Sequence, residues 1–144
     1  MRDAPEMAAL HGQSFPQGWS DAAFERFLAD HTCSTWIARR PEQGPIAGFL
    51  LSRMAADEAD IVTLAVAEDV RRHGLGSALV ECAAAALGRR GARRLLLEVG
   101  ESNLAARGLY AACGFRVVGA RSGYYRSGCD GEDAVVMERR LQRQ

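Results

Sequence analysis

The sequence has little that would commit it to a charged partner, a membrane or a metal. Its 18 acidic and 18 basic residues cancel to a formal net charge of zero. No global field therefore draws it to nucleic acid, and positive charge matters only where it clusters, as at Arg71 and Arg72. No apolar run approaches the roughly 18 residues that a membrane span needs. The opening MRDAPEMAAL lacks the basic-then-apolar pattern of a signal peptide, so a cytoplasmic protein is expected. The four cysteines, Cys33, Cys82, Cys113 and Cys129, are scattered, with no CxxC pair and no histidine at ligand spacing. That pattern predicts free thiols and no metal site. Repeats, low-complexity segments and signs of a second domain are also missing. What remains is 144 residues, 48% apolar and 25% charged, the composition of one globular domain over 1–144 that can bury a core.

Periodicity divides the chain into ten elements. DAPEMAALHGQSF and SDAAFERFLAD read as helices, the second with Ser20 as its N-cap and with Phe24, Phe27 and Leu28 at helical spacing. FPQGWS between them is a turn built on Pro16 and Gly18. STWIARR, GPIAGFLLSRM and ADIVTLAVAED alternate as strands, the first two a hairpin and the third its antiparallel neighbour. GLGSALVECAAAALGRRG is a helix with Leu75, Leu79, Cys82 and Ala86 on one stripe, ended by Gly88 or Gly91. RRLLLEV is a buried strand. SNLAARGLYAACGF is a helix capped by Ser102 or Asn103, with Gly114 at its C-terminal cap. FRVVGAR and EDAVVMERRL close the chain as paired strands. The order α-α-β-β-β-α-β-α-β-β predicts an α/β (α+β) fold with a single mixed sheet.

The loop VRRHGLGSALV follows a central strand and opens a helix. Helix N-termini carry unpaired N–H groups and a partial positive charge, which suits an anion. Gly74 and Gly76 let such an anion approach without a Cβ in the way, and Arg71 and Arg72 add charge-assisted contacts. A nucleotide P-loop would need a lysine after its second glycine, where Ser77 stands. A dinucleotide fingerprint would need a third glycine, where Leu79 stands. A glycine-rich helix start with two solvated arginines is the plain alternative.

RRHGLGSAL resembles the pyrophosphate loop of acetyl-CoA-dependent N-acetyltransferases, the GNAT family, through Arg71, Gly74 and Gly76. LLLEV followed by SNLAARGLYAACGF resembles the second half of that family's pattern. GWS, EVGESN, LYAACGF and GARSGYY…GEDAVVMERRL are similar to its RimI branch, which acetylates the N-terminal alanine of a small-subunit ribosomal protein. The likeness runs from about Phe15 to Leu141. It implies the GNAT fold, a mostly antiparallel sheet flanked by helices with acetyl-CoA at a splayed central strand pair. It implies acetyl-CoA as co-substrate, no metal, and a protein N-terminus, ribosomal in kind, as acceptor. No direct nucleic-acid or membrane partner is expected. Oligomeric state is left open, with a monomer allowed. An acceptor amine of lysine or of a small molecule, or a catalytically silent CoA-binding regulator, would be compatible with the same loop.

The resemblance also assigns roles. Leu64, Ala65 and Val66 pair their backbone with the pantetheine amides, and the Val66 N–H region supplies the oxyanion donor. Arg71, Arg72, His73, Gly74, Leu75, Gly76 and Ser77 form the pyrophosphate loop, and Asn103 touches the cofactor while capping its helix. Glu98 matches the general base. It sits on a strand whose Leu95, Leu97 and Val99 share the other face, so partial desolvation would strengthen it as a base; a solvated carboxylate, or one paired with Arg94 or Arg116, is the alternative. Tyr110 matches the acid that serves the departing thiolate, a phenol of ordinary pKa about 10 beside a thiol of about 8.5. A core tyrosine is its alternative. Trp19, Tyr124 and Tyr125 are loop aromatics suited to gripping a peptide, or else buried staples. Glu132 and Asp133 belong to the RimI signature. Cys113 reads as a packing position.

Overall fold

The computed structural model describes residues 3–15, 18–41, 44–71, 73–121 and 133–141. The elements run α1 (Asp3–Ser14), α2 (Asp21–Ala29), β1 (Cys33–Arg39), β2 (Ile46–Ala55), β3 (Glu58–Val66), α3 (Leu75–Arg89), β4 (Arg94–Gly100), α4 (Leu104–Ala112), β5 (Arg116–Arg121) and β6 (Ala134–Arg140). The ten expected elements are all present, in the expected order. The strands make a six-stranded sheet in the order β1-β2-β3-β4-β6-β5. The residues form two compact units, one of Met1–Arg53 and Ile61–Ala83, the other of Met54–Asp60 and Ala84–Gln144.

In the first unit, α1 buries Ala4, Met7, Leu10 and His11, one face of a helix. Ser20 caps α2, its Oγ accepting from the Ala23 N–H at 3.1 Å. Strands β1 and β2 pair antiparallel from Cys33↔Arg53 to Ala38↔Gly48. Phe24, Phe49, Leu10 and Leu51 join Met7 in the core, with Trp19, Phe27 and Ile37 half-buried against it. Arg39 ties β1 to α1 by pairing with Asp3 and, at 2.8 Å, with Glu6. The Glu6 carboxylate, with Asp3 behind it, holds the Arg39 charge more firmly than usual.

The turn between α1 and α2 is closed by backbone against backbone. A Cβ on Gly18 would lie 2.9 Å from the Gly12 Cα and 3.2 Å from its nitrogen, whereas a Cβ on Gly12 would meet nothing. Gly18→Ala is therefore expected to cost about 1–2 kcal/mol, since neither backbone can yield cheaply, while Gly12→Ala leaves this approach unobstructed. Urea unfolding of the two variants checks the asymmetry; equal stabilities would show that the turn has slack.

In the second unit, the start of β3 pairs in parallel with β4 from Glu58↔Arg94 to Asp60↔Leu96. Strand β4 pairs antiparallel with β6 along its whole length, Arg94↔Arg140 to Gly100↔Ala134. Leu95, Leu97 and Val99 are buried and Glu98 is exposed, as the period of two requires. Helix α3 ends at Gly91, with φ 103°, rather than at Gly88. The Ala92 N–H reaches back to the Leu87 carbonyl at 3.0 Å across that left-handed residue. The edge strand β5 is exposed at every residue. A register shift between Val117 and Gly119 interrupts its pairing with β6.

Candidate functional site

In the first unit, β3 delivers Leu64, Ala65 and Val66, with Ala65 buried and its two neighbours half-buried. The Ala67 N–H then donates to the Ala47 carbonyl at 2.8 Å, and a single 3-10 turn, Glu68–Val70, leads into the loop. Arg71 is exposed, and its Nε donates to the Val66 carbonyl at 2.9 Å, so the guanidinium is anchored to the end of the strand. Gly74 has φ 86°, and its carbonyl accepts the first helical bond from the Ala78 N–H at 3.0 Å. The amides of Leu75, Gly76 and Ser77 thus precede the first intrahelical donor, where a helix is most positive. A Cβ on Gly74 would meet nothing within 4 Å. Within the protein, then, it is the left-handed backbone rather than crowding that calls for glycine there. His73 is exposed. Arg72 lies outside the described residues.

Gly48 was not singled out by sequence, yet it helps to place this loop. A Cβ there would stand 3.1 Å from the Leu75 side chain, 3.2 Å from the Ala65 carbonyl and 3.3 Å from Leu79. The start of α3 rests on that gap in β2. A glycine inside an apolar strand was the available signal.

In the second unit, Glu98 keeps 31% of its side chain exposed, and its Oε2 lies 3.3 Å from Arg121 Nε. Arg94 and Arg116, its partners in the alternative reading, are taken by Glu138 instead. Arg94 Nη1 is 2.5 Å and Arg116 Nη2 3.5 Å from the Glu138 carboxylate, which is 3% exposed. Arg94 Nε also meets Glu58 at 2.8 Å. Arg94 beside Glu138 holds that carboxyl below the usual carboxylate range.

Asn103, not Ser102, caps α4: its Oδ1 accepts from the Ala106 N–H at 3.1 Å. At the other end Gly114 has φ 91°. The Phe115 N–H reaches the Tyr110 carbonyl at 3.0 Å and the Gly114 N–H reaches that of Ala111 at 3.0 Å. This is a Schellman motif, with its usual apolar contact made by the Phe115 and Tyr110 rings, 5.5 Å apart and edge to face. The termination signal therefore also fixes Tyr110, which is 7% exposed. Burial pushes its phenol up from the ordinary value. Cys113 is buried, the packing position expected.

Trp19 is half-buried and engaged in packing. It stacks on His11 at 4.5 Å and tilts against Phe27 at 5.3 Å and Phe24 at 5.6 Å. These are the contacts of a staple, and the half-buried ring leaves part of itself open. His11 is the residue sequence reading passed over, a polar member of an otherwise apolar helix face. Tyr124, Tyr125, Cys129 and Glu132 lie outside the described residues. Asp133 is exposed, and its carbonyl accepts from the Glu101 N–H at 2.9 Å. Leu64–Val66, Arg71 and Gly74–Ser77 are brought together in the first unit; Glu98, Asn103 and Tyr110 share the second. No helix among the described residues is long and apolar enough to cross a membrane. Among those residues no group of His, Cys, Asp and Glu could hold a metal ion.

Residues 4–115 match the sequence profile of the Acetyltransferase (GNAT) family. The chain is 40% identical over 134 residues to the [ribosomal protein bS18]-alanine N-acetyltransferase of Escherichia coli K12, covering 90% of this chain and 87% of that one. The crystal structure of the ribosomal-protein-S18-alanine N-acetyltransferase from Escherichia coli aligns with a TM-score of 0.88 at 29% identity, over 100% of this chain and 91% of that one. The fold is also that of Arabidopsis thaliana NAA60, solved in complex with acetyl-CoA, with a TM-score of 0.83 at 21% identity over 96% of this chain and 93% of that one.

Proposed function

The chain belongs to the GNAT acetyltransferase family, and from that we propose that it acetylates the α-amino group of a protein N-terminus, alanine by preference, on a ribosomal protein of the bS18 kind. The enzyme is an N-acetyltransferase and acetyl-CoA is its co-substrate. The observation that carries the acceptor is the extent of the E. coli likeness, which spans nearly the whole chain rather than the cofactor loop alone. A ribosomal acceptor places the reaction in the cytoplasm.

Each residue then has a task. The pyrophosphate lies on the amides of Leu75, Gly76 and Ser77, with Arg71, Arg72 and His73 beside it and Gly74 setting the turn. Leu64, Ala65 and Val66 offer backbone to the pantetheine amides, and Asn103 contributes from the cap of α4. Glu98 accepts a proton from the attacking amine, and Tyr110 donates a hydrogen bond to the departing sulfur. Trp19, Tyr124 and Tyr125 grip the acceptor. The chemistry favours an α-amine. With a pKa of about 7.8 it is about a quarter neutral at pH 7.4, while a lysine of pKa about 10.4 is about 0.1% neutral. One half-exposed glutamate suffices for the first.

Two peptides of one sequence, one with a free N-terminal alanine and one N-terminally blocked but bearing lysine, are expected to compete heavily in favour of the first. Mass spectrometry reads the result cleanly, because the enzyme itself contains no lysine. Equal or faster acetylation of the blocked peptide would make it a lysine acetyltransferase, and no acetylation of either would favour a small-molecule amine or a silent CoA-binding role.

A further inference from the structure

We propose that Arg121 is a positioning residue for Glu98: its guanidinium, reaching across β6, holds the carboxylate in the orientation in which it meets the acceptor amine. The inference rests on the proposed role of Glu98 as base. Glu98 stands opposite Val136 on β6. Arg121 stands opposite Ala134, on the far side of the same strand. A side chain must therefore span a whole strand to connect them, about 10 Å at ordinary strand spacing. Arginine has that reach.

Register decides that the two face each other. Arg116 pairs with Glu138, and Val117 with Met137; after the shift Gly119 pairs with Val136 and Arg121 with Ala134. Counted from Arg116 without the extra residue, Arg121 would fall opposite Asp133 and point to the other face of the sheet. The bulge at Val118 thus turns Arg121 onto the face that carries Glu98. The other cations of that face, Arg94, Arg116 and Arg140, are engaged by Glu138. Of the acids at this end of the strands, Glu101 and Asp133 are exposed. Among the described residues Arg121 is the cation that meets Glu98.

A half-exposed ion pair adds little to stability, so the bulge is poorly explained as a stabilising device. Its effect on a base is different in kind. A carboxylate on an open strand face samples several rotamers, and a guanidinium 3.3 Å away selects one.

The test is a double-substitution cycle on Arg121 and Glu98, read by kcat with the free-alanine peptide, with acetyl-CoA affinity by calorimetry as the folding control. Arg121→Gln is expected to lower kcat about fivefold, the scale of one half-exposed ion pair, with cofactor affinity unchanged. Arg121→Lys, which keeps the charge, is expected to recover most of that. In a Glu98→Gln background, itself about tenfold slower because the amine is already partly neutral, Arg121→Gln is expected to change nothing further. A wild-type kcat for Arg121→Gln overturns the proposal, and so does an undiminished fivefold loss in the Glu98→Gln background, which would mean that Arg121 acts on something else. A wild-type kcat for Glu98→Gln alone would instead remove the base role, and the proposal with it.

Discussion

Tyr110→Phe is expected to lower kcat about a hundredfold while acetyl-CoA affinity stays within about twofold of wild type, the pattern of an interaction made only as the sulfur departs. The phenol is held at both ends of its context. The Schellman bonds of α4 fix its backbone and the Phe115 ring fixes its plane. Burial also raises its pKa, so it stays protonated throughout the range in which such an enzyme works. A phenol that holds its proton more tightly than usual cannot surrender it outright to a thiolate of pKa about 8.5. In the proposed role it is a hydrogen-bond donor to the charge developing on sulfur, which phenylalanine cannot be. Because it does not ionise near neutrality, kcat is expected to have no basic limb of its making. Peptide kinetics with a calorimetric titration of acetyl-CoA decide the matter; a variant within about threefold of wild type in kcat would take Tyr110 out of the chemistry.

The second large effect is on stability. His11 is 3% exposed and stacks on Phe15 at 4.3 Å and on Trp19 at 4.5 Å, with Phe24 edge-on at 5.6 Å. Its Nδ1 is buried without a hydrogen-bond partner. The carboxylates of α1, Asp3 and Glu6, are turned to Arg39. On α2, Asp21, Glu25 and Arg26 are exposed. Desolvation alone pushes the imidazole down from 6.5 to about 4. As pH falls through 6.5 the unfolded chain takes up a proton that the folded chain refuses until about pH 4. The contribution of His11 to stability is therefore expected to be level above about pH 6.5, to fall by about 1.4 kcal/mol per pH unit below it, and to have lost about 2 kcal/mol by pH 5. Urea unfolding at pH 7.5 and pH 5 measures the difference. His11→Phe keeps the stack and removes the titration, so the part of the acid loss due to His11 is expected to vanish in it. The same loss in both proteins would put the acid sensitivity elsewhere.

What the sequence settled by itself was local. Apolar periods of 3.6 and 2 over single segments marked the helices and strands. Ser20 and Gly114 announced helix ends because a cap is decided within a few residues of chain. The loop from Arg71 to Ser77 and the LLLEV and LYAACGF motifs carried the family likeness for the same reason, as short patterns set by spacing along the backbone. The tertiary structure decided everything that depends on residues far apart. It chose Gly91 over Gly88, set Gly18 against Gly12, buried His11 among three rings, and gave Arg94 and Arg116 to Glu138. One extra residue in β5 turned Arg121 onto the face of Glu98. Such pairings follow from strand register and from which faces close on each other. Both are properties of the assembled sheet and core, and no window of sequence carries them.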